Sequence, residues 1–301
     1  MSKVVITGAT GAIGFRLLEK LNKDYDVIYA LGRNFDRFEK FEKKIVPVWC
    51  DLSVDIDNNV AHMLSECDTL IHLAANVSET KNIFEEFSNF NNININGTIR
   101  ILKVLENLQR IVFLSTTTVY DPGMNRNKCH KCTEEDYKWP KGHYSISKLI
   151  IENLLRIYSE ENRIGLCVLR VSSVFSPNRY LKHNKRAINV FSDAVTNGDL
   201  ITLQGTGNHK RNYIFLDDVV NAIIWSCKNN ISGVYNLCST KHTTLNQIIH
   251  YISKILQKES KIKYSDFIEK PQCVSAVKIT RMGFVQKFSI EKALQKILFD
   301  Q

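Results

Sequence analysis

Residues 3–6 form a short β-branched apolar run, followed by a turn containing Gly8, Gly11 and Gly14 and by a helical alternation of apolar and polar positions over 12–21. Compact apolar runs recur at 27–31, 45–49, 69–73, 111–114 and 166–170. Between most of them the period lengthens to that of an amphipathic helix, at 59–65, about 88–108 and 144–158. Strands alternating with helices require parallel strands joined by right-handed crossovers, so the pattern predicts an α/β fold with a doubly wound parallel sheet. After about residue 170 the rhythm changes. A polar loop from Ser176 to Arg186 precedes a helix at 187–196, and short strands and helices follow. The expected division is a larger domain over 1–170, with the segment near 210–238 returning to it, and a smaller C-terminal lobe over 171–301.

Composition narrows this picture. The chain has 301 residues, 44% of them hydrophobic, and only five prolines, which suits a full core without low-complexity segments. No run approaches the roughly 20 apolar residues that span a bilayer, and the chain enters its first strand with no signal-peptide pattern. A soluble cytoplasmic protein with no membrane partner is therefore expected. The eight cysteines are scattered, several of them (Cys50, Cys167, Cys238) in apolar runs, which reads as buried reduced thiols. Cys129 and Cys132 make one pair, with His130 between them, where a structural zinc site usually takes two such pairs, so no metal is expected. The net charge of +9 suits an anionic ligand. Acidic residues are interleaved with the basic ones, as in 38–44, which is the pattern of a solvated helix face. Phosphorylated small molecules, not nucleic acid, are the anions expected.

The glycine turn carries the most specific local chemistry. Gly8 and Gly11 remove side chains that would hold a phosphate away from the backbone, and Gly14 lets the helix pack closely. The helix start at Ala12 and Ile13 offers free N–H groups to an anion. A dinucleotide pyrophosphate needs these features in this order, so 1–170 reads as an NAD(P)-binding Rossmann domain. An NAD site usually places a carboxylate about 20 residues past the glycines, on the ribose 2′-hydroxyl. Here the second strand runs into Gly32-Arg33-Asn34, with no carboxylate before Asp36. NADP is therefore favoured over NAD, with Arg33 on the 2′-phosphate, and a plain surface arginine is the alternative. Asp51 and Leu52 follow the third strand and are placed to reach the adenine edge, unless Asp51 caps the next helix.

Tyr144 and Lys148 are four residues apart and so share one helix face. A neighbouring ammonium favours the phenolate, which lets the tyrosine exchange a proton with an alcohol near neutral pH. The same spacing joins Tyr137 to Lys141, but Pro140 lies between them and disfavours a helix. The 144–158 stretch has neither proline nor glycine, so Tyr144 and Lys148 are the expected pair. The fifth strand ends in four consecutive hydroxyl residues, Ser115 to Thr118. One of these could orient a substrate oxygen, or all could serve the strand end.

Together these residues resemble the extended short-chain dehydrogenase/reductase family, in its nucleotide-sugar epimerase/dehydratase branch, over nearly the whole chain. Also matching are His72-Leu73-Ala74-Ala75, Asn94-Ile95-Asn96-Gly97-Thr98, the Ser115–Tyr120 stretch, Leu169-Arg170 with Pro177, 205–219 and Tyr235-Asn236-Leu237. The resemblance implies Thr116 as the catalytic hydroxyl, Tyr144 as acid/base and Lys148 as its partner and ribose ligand. It implies Leu73, Ala74 and Ala75 beside the cofactor, and Asn94 in a supporting network at the substrate side with Thr117 and Ser173. It places Arg211 on a nucleotide diphosphate, and suggests a homodimer through the helices carrying Asn94 and Tyr144. The departures matter too. The branch's 4,6-dehydratases place Asp-Glu after the catalytic threonine, whereas this chain has Thr117-Thr118, which argues against eliminating water. Ser173 stands where many relatives carry Asn, and Ser176 where Gly is usual. The expected function is NAD(P)-dependent hydride transfer on a nucleotide-linked sugar, as ketoreductase or epimerase, with the missing carboxylate after the second strand favouring reduction. The alternatives are a reductase of a non-nucleotide carbonyl compound and a catalytically silent dinucleotide sensor.

Overall fold

The computed structural model describes all residues except 1, 22–24, 37, 39–40, 42–43, 78–81, 121–130, 181–186, 267–272 and 300–301. Most of the charged stretch at 38–44, the Cys129 and His130 positions and the loop at 181–186 thus lie outside the described residues.

The first half runs β1 (Lys3–Thr7), α1 (Ala12–Leu21), β2 (Val27–Gly32), β3 (Ile45–Trp49), α2 (Asn58–Leu64), β4 (Thr69–His72) and α3 (Ile83–Phe90). A π-helical segment (Asn91–Asn96), α4 (Gly97–Lys103), β5 (Arg110–Thr116), α5 (His143–Asn162) and β6 (Gly165–Val171) follow. The remainder is β7 (Ser173–Phe175), α6 (Ala187–Asn197), β8 (Leu200–Gln204), β9 (Tyr213–Phe215), α7 (Leu216–Lys228) and β10 (Gly233–Leu237). Last come α8 (Leu245–Leu256), β11 (Lys261–Ser265), α9 (Val277–Arg281) and α10 (Ile290–Phe299).

A seven-stranded sheet has the order β10-β6-β5-β4-β1-β2-β3. β1 lies parallel between β2 and β4, and chain order reverses there. Val4, Val5 and Ile6 are fully buried, as a strand covered on both faces requires. The crevice beyond the carboxyl ends of β1 and β4 is therefore the switch point where ligands of such sheets bind.

The chain divides into two compact units. The first comprises Met1–Val119, Lys138–Arg170 and Ile223–Val234; the second comprises Tyr120–Tyr137, Val171–Ala222 and Tyr235–Gln301. The first unit's core includes Val5, Leu31, Leu70, Phe113, Ile151 and Leu155. The second has its own core, including Phe175, Phe191, Ile201, Phe215, Ile249 and Leu294. It carries two parallel strand pairs, β7 with β9 and β8 with β11.

The strands begin and end close to where the hydrophobic pattern puts them. The helix expected at 88–108 differs. It starts at Ile83, where the Asn82 side chain accepts the backbone N–H of Phe84 and Glu85. It widens to π geometry over Asn91–Asn96 and stops at Lys103. A π turn adds a residue to the repeat and shifts every later position around the helix, so a 3.6-residue pattern cannot be followed through it. α5 conforms to expectation: Ser145 Oγ donates to the Gly142 carbonyl at its start, and Arg163 ends it in the left-handed region (φ 56°).

Candidate active site

Gly8 has φ +68°, and a β-carbon there would meet Ala74 N at 2.8 Å. Only glycine allows the first turn and the end of β4 to approach so closely. Gly14 meets the same turn from α1, where a β-carbon would come within 2.4 Å of Gly8 O. These approaches border a pocket of about 370 Å³ lined by Gly8, Gly11, Arg33, Asp51, Leu52, Leu73, Ala74 and Ala75. Ala12, Ile13 and Gly14 do not line it; they open α1 behind the glycine turn. Thr7, Thr10, Asn76, Val77 and Ile93 also line the pocket, as does Cys50, which the sequence marks only as a buried thiol; none of them is assigned a cofactor role by the sequence. A glycine-walled floor at a helix N-terminus, with an apolar ledge beside it, fits a dinucleotide.

Arg33 and Asp51 face each other on the pocket wall, with Arg33 Nη1 3.6 Å from Asp51 Oδ2. Asp51 does not cap α2: Asp57 does, accepting from Asn59 N and Val60 N. Asp51 instead accepts the Ser53 N–H at 2.9 Å, and that bond, with help from Arg33, holds its carboxyl below the ordinary range.

A buried hydrogen-bond chain fixes the pocket's far side. Thr7 Oγ1 accepts the N–H groups of Leu73 (3.2 Å) and Ala74 (3.1 Å) and lies 2.7 Å from His72 Nδ1. His72 Nε2 lies 2.9 Å from Thr98 Oγ1, which donates to Asn94 O at 2.6 Å. Because Thr98 spends its proton on Asn94, His72 must donate from Nε2 and accept at Nδ1. Burial, reinforced by Lys148, pushes His72 down to about 3, so the ring stays neutral as that pattern requires. The Asn94 side chain accepts Asn76 N at 2.7 Å and donates to Asn76 O and Ser147 Oγ. It is 2% exposed, and these three bonds commit it to holding the loop and helix around it.

α5 packs on β5 and on the short 3-10 turn Thr117–Val119. That packing sets Lys148 against the strand that ends in Thr116, with Tyr144 one turn earlier on the same helix. Lys148 Nζ donates to Leu114 O at 2.8 Å and lies 4.5 Å from the centre of the Phe113 ring and 5.9 Å from that of Tyr144. The side chain is buried, and burial pushes its amine down to about 7, with Glu152 opposing. Thr116 Oγ1 accepts the Thr118 N–H, while Ser115 donates to Glu152 instead of facing outward. Glu152 in turn pairs with Arg170 (2.6 Å), both side chains 5% exposed. That pair escaped the sequence reading, although 144, 148 and 152 recur at one-turn spacing. Tyr137, in contrast, is 60% exposed and lies outside any helix.

In the second unit, Ser173 is exposed at the start of β7, opposite Tyr213 in the β7–β9 register. Arg211 lies two residues before Tyr213 and forms a backbone bridge with Thr243. Asp218 accepts the N–H groups of Lys287 and Phe288, and Asp217 lies 3.8 Å from Lys296. Among the described residues, no group of three or more His, Cys, Asp or Glu could hold a metal. Nor is any helix among them long and apolar enough to cross a membrane.

The model of the NAD dependent epimerase/dehydratase family matches residues 4–238. The dTDP-D-glucose 4,6-dehydratase of Dictyostelium discoideum is 28% identical over 257 residues, 79% of this chain and 58% of that protein. The chain thus spans little more than half of that relative's length. A putative UDP-glucose 4-epimerase of Methanocaldococcus jannaschii is 25% identical over 83% of this chain and 81% of its own length. Among solved structures, the UDP-N-acetylglucosamine 4-epimerase of Methanobrevibacter ruminantium M1, in complex with UDP-N-acetylmuramic acid, superposes with a TM-score of 0.85. It is 23% identical, and the match covers 99% of this chain and 97% of that one.

Proposed function

The chain belongs to the NAD dependent epimerase/dehydratase family, and from that membership we propose an NADP(H)-dependent hydride-transfer enzyme acting on a nucleotide-linked sugar, as ketoreductase or epimerase. The observation that carries this reading is the union, in one compact unit, of a glycine-walled pocket with a helix packed on β5 that carries Tyr144 and Lys148 one turn apart. Gly8, Gly11 and the first N–H groups of α1, at Ala12 and Ile13, would hold the pyrophosphate. Leu52, Leu73, Ala74 and Ala75 would flank the cofactor, and Arg33 would take the 2′-phosphate, where a guanidinium binds bidentately. When bound, the nicotinamide ring supplies the hydride donor and acceptor.

The chain's own groups handle the proton. Tyr144 gives a proton to, or takes one from, the sugar oxygen at the reacting carbon. Thr116 orients that oxygen by a hydrogen bond. Lys148, when charged, stabilises the Tyr144 phenolate and binds the nicotinamide ribose. Asn94 keeps the Asn76 loop and Ser147 in register, and Thr117 and Ser173 contribute to the sugar side. Thr117 and Thr118 supply no group that titrates near neutral pH, so the sugar keeps its hydroxyls.

Two further features support the wider reading. Ile83, Phe84 and Phe87 on α3, and Ile150 and Ile157 on α5, are exposed apolar side chains on neighbouring helices, as a homodimer interface would need. The reduced thiols of Cys50, Cys67, Cys167 and Cys238 suit the cytoplasm.

Arg211 tests the nucleotide half of the proposal. UDP, dTDP, CDP or GDP should compete with substrate without displacing NADP. Arg211→Ala should weaken that competition by roughly 1.5–3 kcal/mol, tenfold or more, as for a lost charge-assisted contact. The loss should appear first in KM, because the diphosphate lies away from the reacting carbon. If no nucleoside diphosphate binds at millimolar concentration, the reading gives way to a reductase of small carbonyl compounds.

A further inference from the structure

Three elements meet at Glu152. Its carboxylate accepts the Ser115 hydroxyl from β5 and is gripped by Arg170 at the end of β6, with Nε 3.1 Å from both oxygens and Nη2 2.6 Å from Oε2. One turn earlier on α5, Lys148 Nζ donates to the carbonyl of Leu114. The helix is thus fastened to two consecutive residues of β5, Leu114 and Ser115, and the next residue is Thr116. The fork geometry of the guanidinium suits both carboxylate oxygens. All three side chains are buried, so an uncompensated charge among them would be costly.

We propose that Glu152 and Arg170 are positioning residues: they latch α5 to β5 immediately before Thr116, and the Arg170 charge offsets much of the pull that the Glu152 carboxylate, on the same helix face, exerts on Lys148.

The surroundings of Lys148 leave little else to set its charge. On α5 it faces Tyr144 and Glu152; on β5, the Leu114 carbonyl and the Phe113 ring; on β4, the neutral His72. The π-helical segment places the uncharged Asn94 on the neighbouring Ser147, and the 3-10 turn carries the buried, uncharged Thr117. α3 carries Glu86, which lies 3.2 Å from His143 at the start of α5. Glu152, at i+4, is the carboxylate placed to hold a proton on Lys148, and Arg170 occupies it. Releasing Glu152 from Arg170 would keep the ammonium to higher pH. Removing Glu152 while leaving Arg170 would expel the proton sooner.

The inference rests on Tyr144 and Lys148 being the acid/base pair, but its test is independent of turnover. The carbon-13 NMR signal of the Lys148 ε-carbon, assigned by its absence in Lys148→Met, is followed against pH without substrate. Arg170→Met should raise the titration midpoint by about one pH unit, and Glu152→Gln should lower it. Arg170→Lys and the double variant Glu152→Gln/Arg170→Met should both return it close to wild type. Should Arg170→Met fail to fold, Arg170→Gln keeps a polar partner for Glu152 without the charge and should give the same rise. Midpoints that stay together in all folded variants would overturn the proposal and leave the pair as a brace. For the latch, Ser115→Ala should lower kcat about tenfold with dinucleotide affinity and the Lys148 midpoint unchanged; an unchanged kcat would overturn that half. If Tyr144→Phe leaves turnover intact, the acid/base reading falls, whereas the NMR midpoints still judge the coupling.

Discussion

At the amino ends of the sheet's strands lies a cavity of about 680 Å³, lined in part by Ser2, Tyr25, Asp68, Arg110 and Cys227. At the carboxyl ends lies one of about 370 Å³, floored by Gly8 and Gly11. In the larger cavity the charged groups serve the scaffold. Asp68 accepts the Lys3 N–H (3.1 Å) and the Thr69 hydroxyl (2.6 Å), and Arg110 donates to the Ile231 carbonyl at 3.1 Å. Burial pushes the Tyr25 phenol well above its ordinary range, so it is neutral at any physiological pH. In the smaller cavity the floor at Gly8 and Gly11 is bare backbone, and the bonding among Thr7, His72 and Thr98 ties the ends of β1 and β4 to the helix behind them. Volume alone would choose the amino end, where, among the described residues, no glycine turn meets a helix start. What marks a site is backbone turned toward an open space by side chains that bind elsewhere.

The contrast is sharpest in turnover. Tyr144→Phe should lower kcat at least about a hundredfold while dinucleotide binding is kept, as expected on losing an acid/base group. Tyr137→Phe, with the same spacing to a lysine but no helix, should be nearly silent. Steady-state kinetics of both variants checks this, and equal effects would remove the assignment of α5 as the catalytic helix.

A smaller effect belongs to the adenosine side. NADP(H) should bind more tightly than NAD(H), and Arg33→Asp should reverse the order, with a change on the order of 1.5–3 kcal/mol. Fluorescence titration with the reduced dinucleotides reads it, and equal affinities in the wild type would end the case for the 2′-phosphate. The paired Asp51 makes Arg33 a sharper test than a lone surface arginine, because the substitution also sets two carboxylates side by side.

The smallest effect should come from the amino end. Asp68→Ala leaves the Lys3 N–H and Thr69 hydroxyl without their acceptor and should cost roughly 1–3 kcal/mol of stability. Its kcat should remain within about twofold of wild type in the fraction that is folded. Denaturant unfolding beside kinetics separates the two quantities, and a large kcat loss without a stability loss would make the larger cavity functional after all.

The sequence and the fold agree best where the signal is local. The turn with Gly8, Gly11 and Gly14 is legible because strand, turn and helix are contiguous, and at Gly8 and Gly14 a β-carbon would collide with backbone. Tyr144 and Lys148 are legible because helix spacing alone puts them on one face, and Pro140 disposes of the competing pair. The π segment is not legible, since Asn91 to Asn96 break the period that would reveal them. Nor is the Glu152–Arg170 pair, whose members are joined only when β6 packs beside α5. The role of Asn94 needed the structure too, because its side chain is committed by Asn76 and Ser147, neither of which is near it in sequence.

The central claim is hydride transfer on a nucleotide-linked sugar, with Tyr144 moving the proton. It is tested most directly by incubating the wild type with dinucleotide and a panel of UDP-, dTDP-, CDP- and GDP-hexoses or their keto forms, and reading the sugar ring protons by NMR. The account predicts that one member is reduced or inverted at a single ring carbon, with its other hydroxyls retained, and that Tyr144→Phe abolishes the change. It is contradicted if no nucleotide-linked sugar is altered while a simple carbonyl compound is reduced, or if the Tyr144→Phe product spectrum matches that of the wild type.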